Sequence, residues 1–72
     1  MRTLKILIAG LGNMGKSHAL ACNNHPGFEV VGLVNRSPVE LPDSLSGIAM
    51  YTNFHTALAQ VECDVVSIQY VF

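Results

Sequence analysis

The segment Gly10-Leu11-Gly12-Asn13-Met14-Gly15 separates two stretches of different periodicity, and that placement constrains the fold more than any other feature. Before it runs Leu4-Lys5-Ile6-Leu7-Ile8-Ala9, aliphatic and interrupted only by Lys5. A short continuous apolar run of this kind reads as a strand buried on both faces, as in a parallel sheet. After it, Met14 to Asn23 has helical composition, with Met14, Ala19, Leu20 and Cys22 spaced for one apolar side and Lys16 and Ser17 elsewhere. His25-Pro26-Gly27 stops that helix, because Pro26 cannot continue it and Gly27 tolerates a reversed backbone. A second apolar strand, Phe28 to Val34, then follows at the distance expected of a βαβ unit.

The alternation continues. Asn35 to Gly47 carries Pro38 and Pro42, three serines, Glu40 and Asp43, and reads as a loop with room for a broken helical turn. Ile48 to Tyr51 makes a short third strand. Thr52 or Asn53 can cap a second helix, Phe54 to Gln60, in which Phe54, Ala57, Leu58 and Val61 share a side. Glu62-Cys63-Asp64 turns the chain into a fourth strand, Val65 to Tyr70. Strand-helix-strand repeated twice implies the α/β class: a parallel βαβ sheet of about four strands joined by right-handed crossovers, in the order 3-2-1-4. The fourth strand then lies beside the first, with an apolar outer edge.

Composition removes several function classes. In 72 residues, 4 basic side chains stand against 5 acidic ones, which excludes the clustered positive charge of a nucleic-acid or anionic-membrane surface. Half of the residues are hydrophobic, so disorder is excluded as well. The two cysteines, Cys22 and Cys63, form no CxxC pair and are expected as free thiols packed like small apolar residues. The run from Leu4 to Ala9 is too short for a signal peptide, and no segment approaches the ~18 apolar residues of a membrane span. A cytoplasmic setting is expected.

G-x-G-x-x-G is weak evidence alone, but here it follows a strand and opens a helix, and each glycine then has a physical task. Gly10 allows the sharp exit from the strand, Gly12 lets a diphosphate approach the backbone, and Gly15 lets the helix pack against the strand. The N–H groups and dipole at the helix N-terminus favour that anion. The bland alternative is a glycine-rich turn that binds nothing. A second discriminator is Asn35, 20 positions past Gly15, where a dinucleotide site often places a carboxylate for the ribose hydroxyls. A carboxylate repels a 2′-phosphate; neutral Asn35 does not, and Arg36 can pair with that phosphate. NADP is therefore favoured over NAD, the alternative being that Arg36 is solvated over the adenine and either cofactor is accepted. The candidate cofactor-binding residues are Gly10, Gly12, Asn13, Met14, Gly15, Asn35, Arg36 and Ser37.

Taken together, Ile8 to His18, Val31 to Ser37, Tyr51-Thr52-Asn53-Phe54 and Asp64 to Ile68 resemble the Gfo/Idh/MocA family of NAD(P)-dependent sugar and cyclitol oxidoreductases. The resemblance implies a Rossmann-type domain that carries the cofactor, followed by a larger domain that holds the sugar or cyclitol, with hydride transfer at a hydroxyl carbon. It implies that residues 1–72 are a partial, truncated dinucleotide-binding domain, without the family's Glu-Lys-Pro lysine or its substrate domain, and not catalytically competent alone. In place of the family's Thr/Pro-rich turn after the fourth strand stand Gln69-Tyr70-Val71-Phe72. It also places His18 as a structural support near the cofactor loop.

No catalytic residue and no metal ligand is assigned. His18 and Cys22 are four apart, but two ligands do not make a zinc site and His25 and His55 show no completing spacing. The acids are dispersed, Asp64 reads as a turn residue, and the Tyr51 and Tyr70 hydroxyls lack an identifiable partner. Two rival functions share the fold. An S-adenosylmethionine methyltransferase prefers an acid just before its glycines, where Ile8 and Ala9 stand. A structural, self-assembling module would instead use the apolar edge of the fourth strand, and that edge leads us to expect a symmetric homo-oligomer.

Overall fold

The computed structural model describes residues 3–69. In chain order it contains β1 (Leu4–Ala9), α1 (Asn13–Asn24), β2 (Phe28–Val34), a 3₁₀ turn (Asp43–Leu45), β3 (Met50–Tyr51), α2 (Phe54–Gln60) and β4 (Val65–Ile68). The four strands form one sheet in the order β3-β2-β1-β4, and every neighbouring pair is parallel. The α/β architecture and the strand order are those expected from the alternation of elements.

The lack of alternation in β1 has a direct cause. Ile6, Leu7, Ile8 and Ala9 are all buried because the strand is central and both faces are covered. Ile6 and Ile8 pack with Ala19 and Cys22 of α1, whereas Leu7 and Ala9 pack with Ala57 of α2. β2 slips by one residue against β1: Ile6 is opposite Val30 but Leu7 is opposite Gly32, leaving Val31 as the extra residue. The slip explains why Val30 and Leu33, three apart, both enter the α1-side core, while Val34 serves the α2 side.

Some expectations need correction. Met14 is 79% exposed and does not join the apolar side of α1. The buried residues of that helix are Gly15, Ala19 and Cys22, and Met14, next to Gly15, is turned about 100° away from them. Leu58 is 42% exposed for the same reason, since its neighbour Ala57 takes the buried position in α2. The third strand is only Met50–Tyr51, although Ala49 also accepts a bond from the Leu33 N–H at 2.9 Å. The fourth strand ends at Ile68; Tyr70, with which it was expected to close, lies outside the described residues.

Local signals otherwise act as the chemistry requires. The His25 N–H bonds back to the Cys22 carbonyl at 3.1 Å, and His25 Nδ1 accepts from the Gly27 N–H at 2.9 Å, turning the chain after α1. Of the two candidate caps for α2, Asn53 is used: its Oδ1 accepts from the Thr56 N–H at 3.0 Å. The loop over 35–47 holds the expected helical turn, Asp43–Leu45, and also closes the core, because Leu45 is fully buried with Val39, Leu41 and Ile48 around the same cluster. Both cysteines are free, Cys22 buried and Cys63 half-buried. Among the described residues, no helix is long and apolar enough to cross a membrane.

Candidate functional site

In a parallel sheet all strands point the same way, so the segments leaving β1, β2 and β4 meet at one edge. Here those segments are Gly10 to Gly15, Asn35 to Ser37, and Gln69.

Gly10, the first residue past β1, has φ of 91°, the left-handed region that favours glycine. Its N–H donates to the Val34 carbonyl at 2.8 Å, so the loop starts tethered to the end of β2. Leu11 then turns its side chain into the core, at 1% exposure. Gly12 caps α1 in an extended conformation, and a Cβ built there would meet nothing within 4 Å. The space above Gly12 is open. Gly15 is the opposite case: a Cβ there would strike the Gly10 carbonyl oxygen and come within 2.9 Å of the Gly10 carbon. Helix α1 therefore crosses the exit of β1 in backbone contact, as only glycine allows. No side chain caps α1 and its first turn holds no acidic residue. The orphan N–H groups of that turn, with the positive end of the helix dipole, suit an anion that approaches over Gly12. Asn13 and Met14 flank this opening, both exposed.

Asn35 is brought directly against the loop. Its Oδ1 accepts from the Leu11 N–H at 3.0 Å, and its Nδ2 donates to the Ser37 carbonyl at 2.7 Å. Arg36 and Ser37, next along, are exposed. All eight candidate residues thus lie in the two segments that meet at this edge, Asn35 touching the loop and Arg36 and Ser37 at its outer side.

One arrangement was not visible in the sequence reading. His18 Nε2 lies 2.8 Å from Ser67 Oγ, and Gln69 Nε2 donates to the same hydroxyl at 2.9 Å. Cys22 Sγ is 3.7 Å from the same histidine nitrogen. The Gln69 side chain stands 3.6 Å from the position a Gly15 Cβ would take, so this polar chain links α1 to β4 beside the glycine loop. Its signal was a lone serine in an otherwise aliphatic strand. Among the described residues, no group of three His, Cys, Asp or Glu is placed to hold a metal ion. Asp64, read as a turn residue, fastens β4 to β1: its Oδ2 accepts from the Lys5 N–H at 2.9 Å, and its own N–H donates to the Lys5 carbonyl at 2.8 Å.

A family model described as an oxidoreductase family with an NAD-binding Rossmann fold, Gfo/Idh/MocA, matches residues 4–70. Among solved structures, scyllo-inositol dehydrogenase from Lactobacillus casei, with bound NAD(H) and scyllo-inositol, superposes with a TM-score of 0.83 at 26% identity, covering 97% of this chain and 22% of that one. The apo form of the same protein gives 0.78 at 23% identity, with 97% and 22% covered. D-galactose-1-dehydrogenase from Rhizobium etli gives 0.78 at 21% identity, with 94% and 21% covered. The last two likenesses concern the fold alone. The chain thus spans about 22% of the length of the first of these proteins. Comparison with curated protein sequences finds no match.

Proposed function

We propose, for a chain that belongs to the Gfo/Idh/MocA oxidoreductase family, that it serves as the dinucleotide-binding portion of an enzyme that transfers hydride at a hydroxyl carbon of a sugar or cyclitol. The observation that carries this reading is the contrast between Gly12 and Gly15. One glycine is open above the uncapped start of α1, and the other is closed in backbone contact with Gly10. Glycine also suits a helix cap, and what the open one adds is room for a ligand over the uncapped amides of α1. The nicotinamide supplies the hydride chemistry when bound; the residues described here hold the diphosphate and the adenosine end of the dinucleotide, and none of them is assigned a catalytic role. Gly12, Asn13 and Met14 face the diphosphate, Gly10 and Gly15 shape the loop that receives it, and Asn35, Arg36 and Ser37 form the ribose side. The inositol held by the Lactobacillus casei protein supports the cyclitol class, and the NAD-binding description of the family weighs against the methyltransferase reading.

Arg36 is exposed beside a neutral Asn35, and this favours NADP over NAD. Calorimetric titration of the chain with NADPH and NADH tests the reading. NADPH is expected to bind more tightly, and Arg36→Ala is expected to weaken NADPH about tenfold while leaving NADH nearly unchanged. No binding of either dinucleotide at millimolar concentration overturns it.

A second reading rests on β4, which pairs with β1 alone among the described residues and leaves Ile68 55% exposed. We infer self-association through that edge. Sedimentation is expected to show a dimer, and a monomer at high concentration refutes it.

A further inference from the structure

The residue at the end of β2 reads in the sequence as one that faces the ribose. The structure gives its side chain other partners. Asn35 Oδ1 accepts the Leu11 N–H, the amide between the first two glycines, at 3.0 Å, while Asn35 Nδ2 donates to the Ser37 carbonyl at 2.7 Å. The Asn35 backbone is fixed as well, because its N–H donates to the Tyr51 carbonyl at 3.0 Å and extends the β2–β3 pairing by one residue. A planar group anchored in this way and bonded at both ends has one orientation.

We propose that Asn35 is a positioning residue, whose carboxamide holds the Gly10–Gly12 loop and the 35–37 turn in register and so shapes dinucleotide binding without serving as the ribose acceptor. This rests on the dinucleotide-binding reading above. Besides the Asn35 bond, the loop has one other tie to β2, the Gly10 N–H to the Val34 carbonyl at 2.8 Å. That tie fixes the exit from β1. The Asn35 bond fixes the next residue, and with it the direction in which the chain reaches Gly12. The pattern needs an acceptor and a donor on one short planar group, which a carboxamide provides. A carboxylate could keep the Leu11 bond, but its second oxygen would face the Ser37 carbonyl as acceptor against acceptor. A methyl group keeps neither. With the carboxamide engaged on both sides, Arg36 and Ser37 remain as the exposed polar residues of the turn for a 2′-phosphate.

The test uses the ¹⁵N-labelled chain and the variants Asn35→Ala and Asn35→Asp, with three readouts: Leu11 amide hydrogen exchange without ligand, calorimetric Kd for NADPH and NADH, and thermal melting by circular dichroism. For Asn35→Ala, Leu11 exchange is expected to rise at least tenfold and both Kd values to rise together by about tenfold. For Asn35→Asp, the Leu11 amide stays protected, while the lost bond to the Ser37 carbonyl lowers the melting temperature below that of wild type. NADPH nevertheless weakens about tenfold and NADH less than threefold. Unchanged Leu11 protection in Asn35→Ala overturns the proposal, and so do losses of binding in both variants that only track the loss of folded protein. A wild-type chain that binds both dinucleotides, with variants that bind as well as it does, overturns the proposal and leaves the functional reading standing. A wild-type chain that binds neither overturns the functional reading and the proposal with it.

Discussion

The two glycines that frame the start of α1 should respond to the same substitution in opposite ways. In Gly15→Ala the new methyl would strike the Gly10 carbonyl oxygen and lie 2.9 Å from its carbon. Backbone cannot rotate away as a side chain can, so the cost belongs at or above the upper end of the ~1–3 kcal/mol typical of overpacking. Alanine returns about 1 kcal/mol through helix propensity. The net loss is about 2 kcal/mol, or a fall in Tm of about 8–16 °C for a domain of this size. In Gly12→Ala the methyl meets nothing within 4 Å, and φ of −66° with ψ of −175° is open to any residue. The smaller entropy of the unfolded chain contributes about 0.4–1 kcal/mol, and losing glycine for alanine at a helix cap costs about the same. Stability should therefore stay within about 0.5 kcal/mol of wild type.

Binding separates the pair. The Gly12→Ala methyl occupies the space above the loop, where a diphosphate must come to reach the N–H groups of α1. Losing one charge-assisted bond there costs about 1.5–3 kcal/mol, which raises the Kd for NADPH roughly 10- to 100-fold. Circular dichroism melts and calorimetric titration of the two variants provide the measurements. A Gly15→Ala chain that melts at or above wild type refutes the backbone contact. A Gly12→Ala chain that binds NADPH as well as wild type refutes the approach over Gly12.

Leu45→Ala should remove about 2–5 kcal/mol, read as a lower urea midpoint, because Leu45 is fully buried although it lies in a proline-rich loop. Asn53→Ala should cost about 1 kcal/mol, a fall in Tm of about 4–8 °C, through loss of the cap to the Thr56 N–H. With an aromatic disulfide reagent, half-buried Cys63 should react in the native chain, and buried Cys22 only as the chain unfolds. Equal rates at the two thiols would contradict the packing of Cys22 between α1 and the sheet.

The elements that the sequence made legible are those whose signal is local. β1 could be read because burial on both faces produces an unbroken aliphatic run, and α1 because the glycines and His25-Pro26-Gly27 bracket it. Asn53 could be read as a cap candidate because its side chain bonds three residues ahead. What stayed hidden depends on neighbours distant in the chain. Val39, Leu41 and Leu45 sit among prolines and serines that advertise a solvated loop, and they become core only because α1 leaves a surface for them. The side of each helix that faces the sheet differs from expectation at Met14 and Leu58, because the buried positions are held by small residues, Gly15, Ala19 and Cys22 in α1 and Ala57 in α2, which give little hydrophobic contrast to orient a helix. The chain from His18 to Ser67 and Gln69 joins residues 49 positions apart, beyond the reach of any local pattern.

The same distinction governs the site. The part proposed to take the diphosphate consists of backbone shaped by glycines, and a missing side chain leaves a strong trace in a sequence. The selectivity proposed for the site depends on side-chain direction, which leaves almost none. Asn35 illustrates the difference, because its identity alone suggested a residue turned toward the ribose, whereas its two bonds turn it toward Leu11 and Ser37. An amide at that position is then not a weakened carboxylate. It meets a requirement for a donor and an acceptor at once, which a carboxylate cannot meet, and the absence of negative charge beside Arg36 follows from the same requirement. On the reading proposed above, the geometry of the turn and tolerance of a 2′-phosphate are in this way coupled through one side chain. A substitution that introduces a carboxylate at position 35 should therefore disturb the 35–37 turn and weaken NADPH at once, while the bond to the Leu11 N–H is kept.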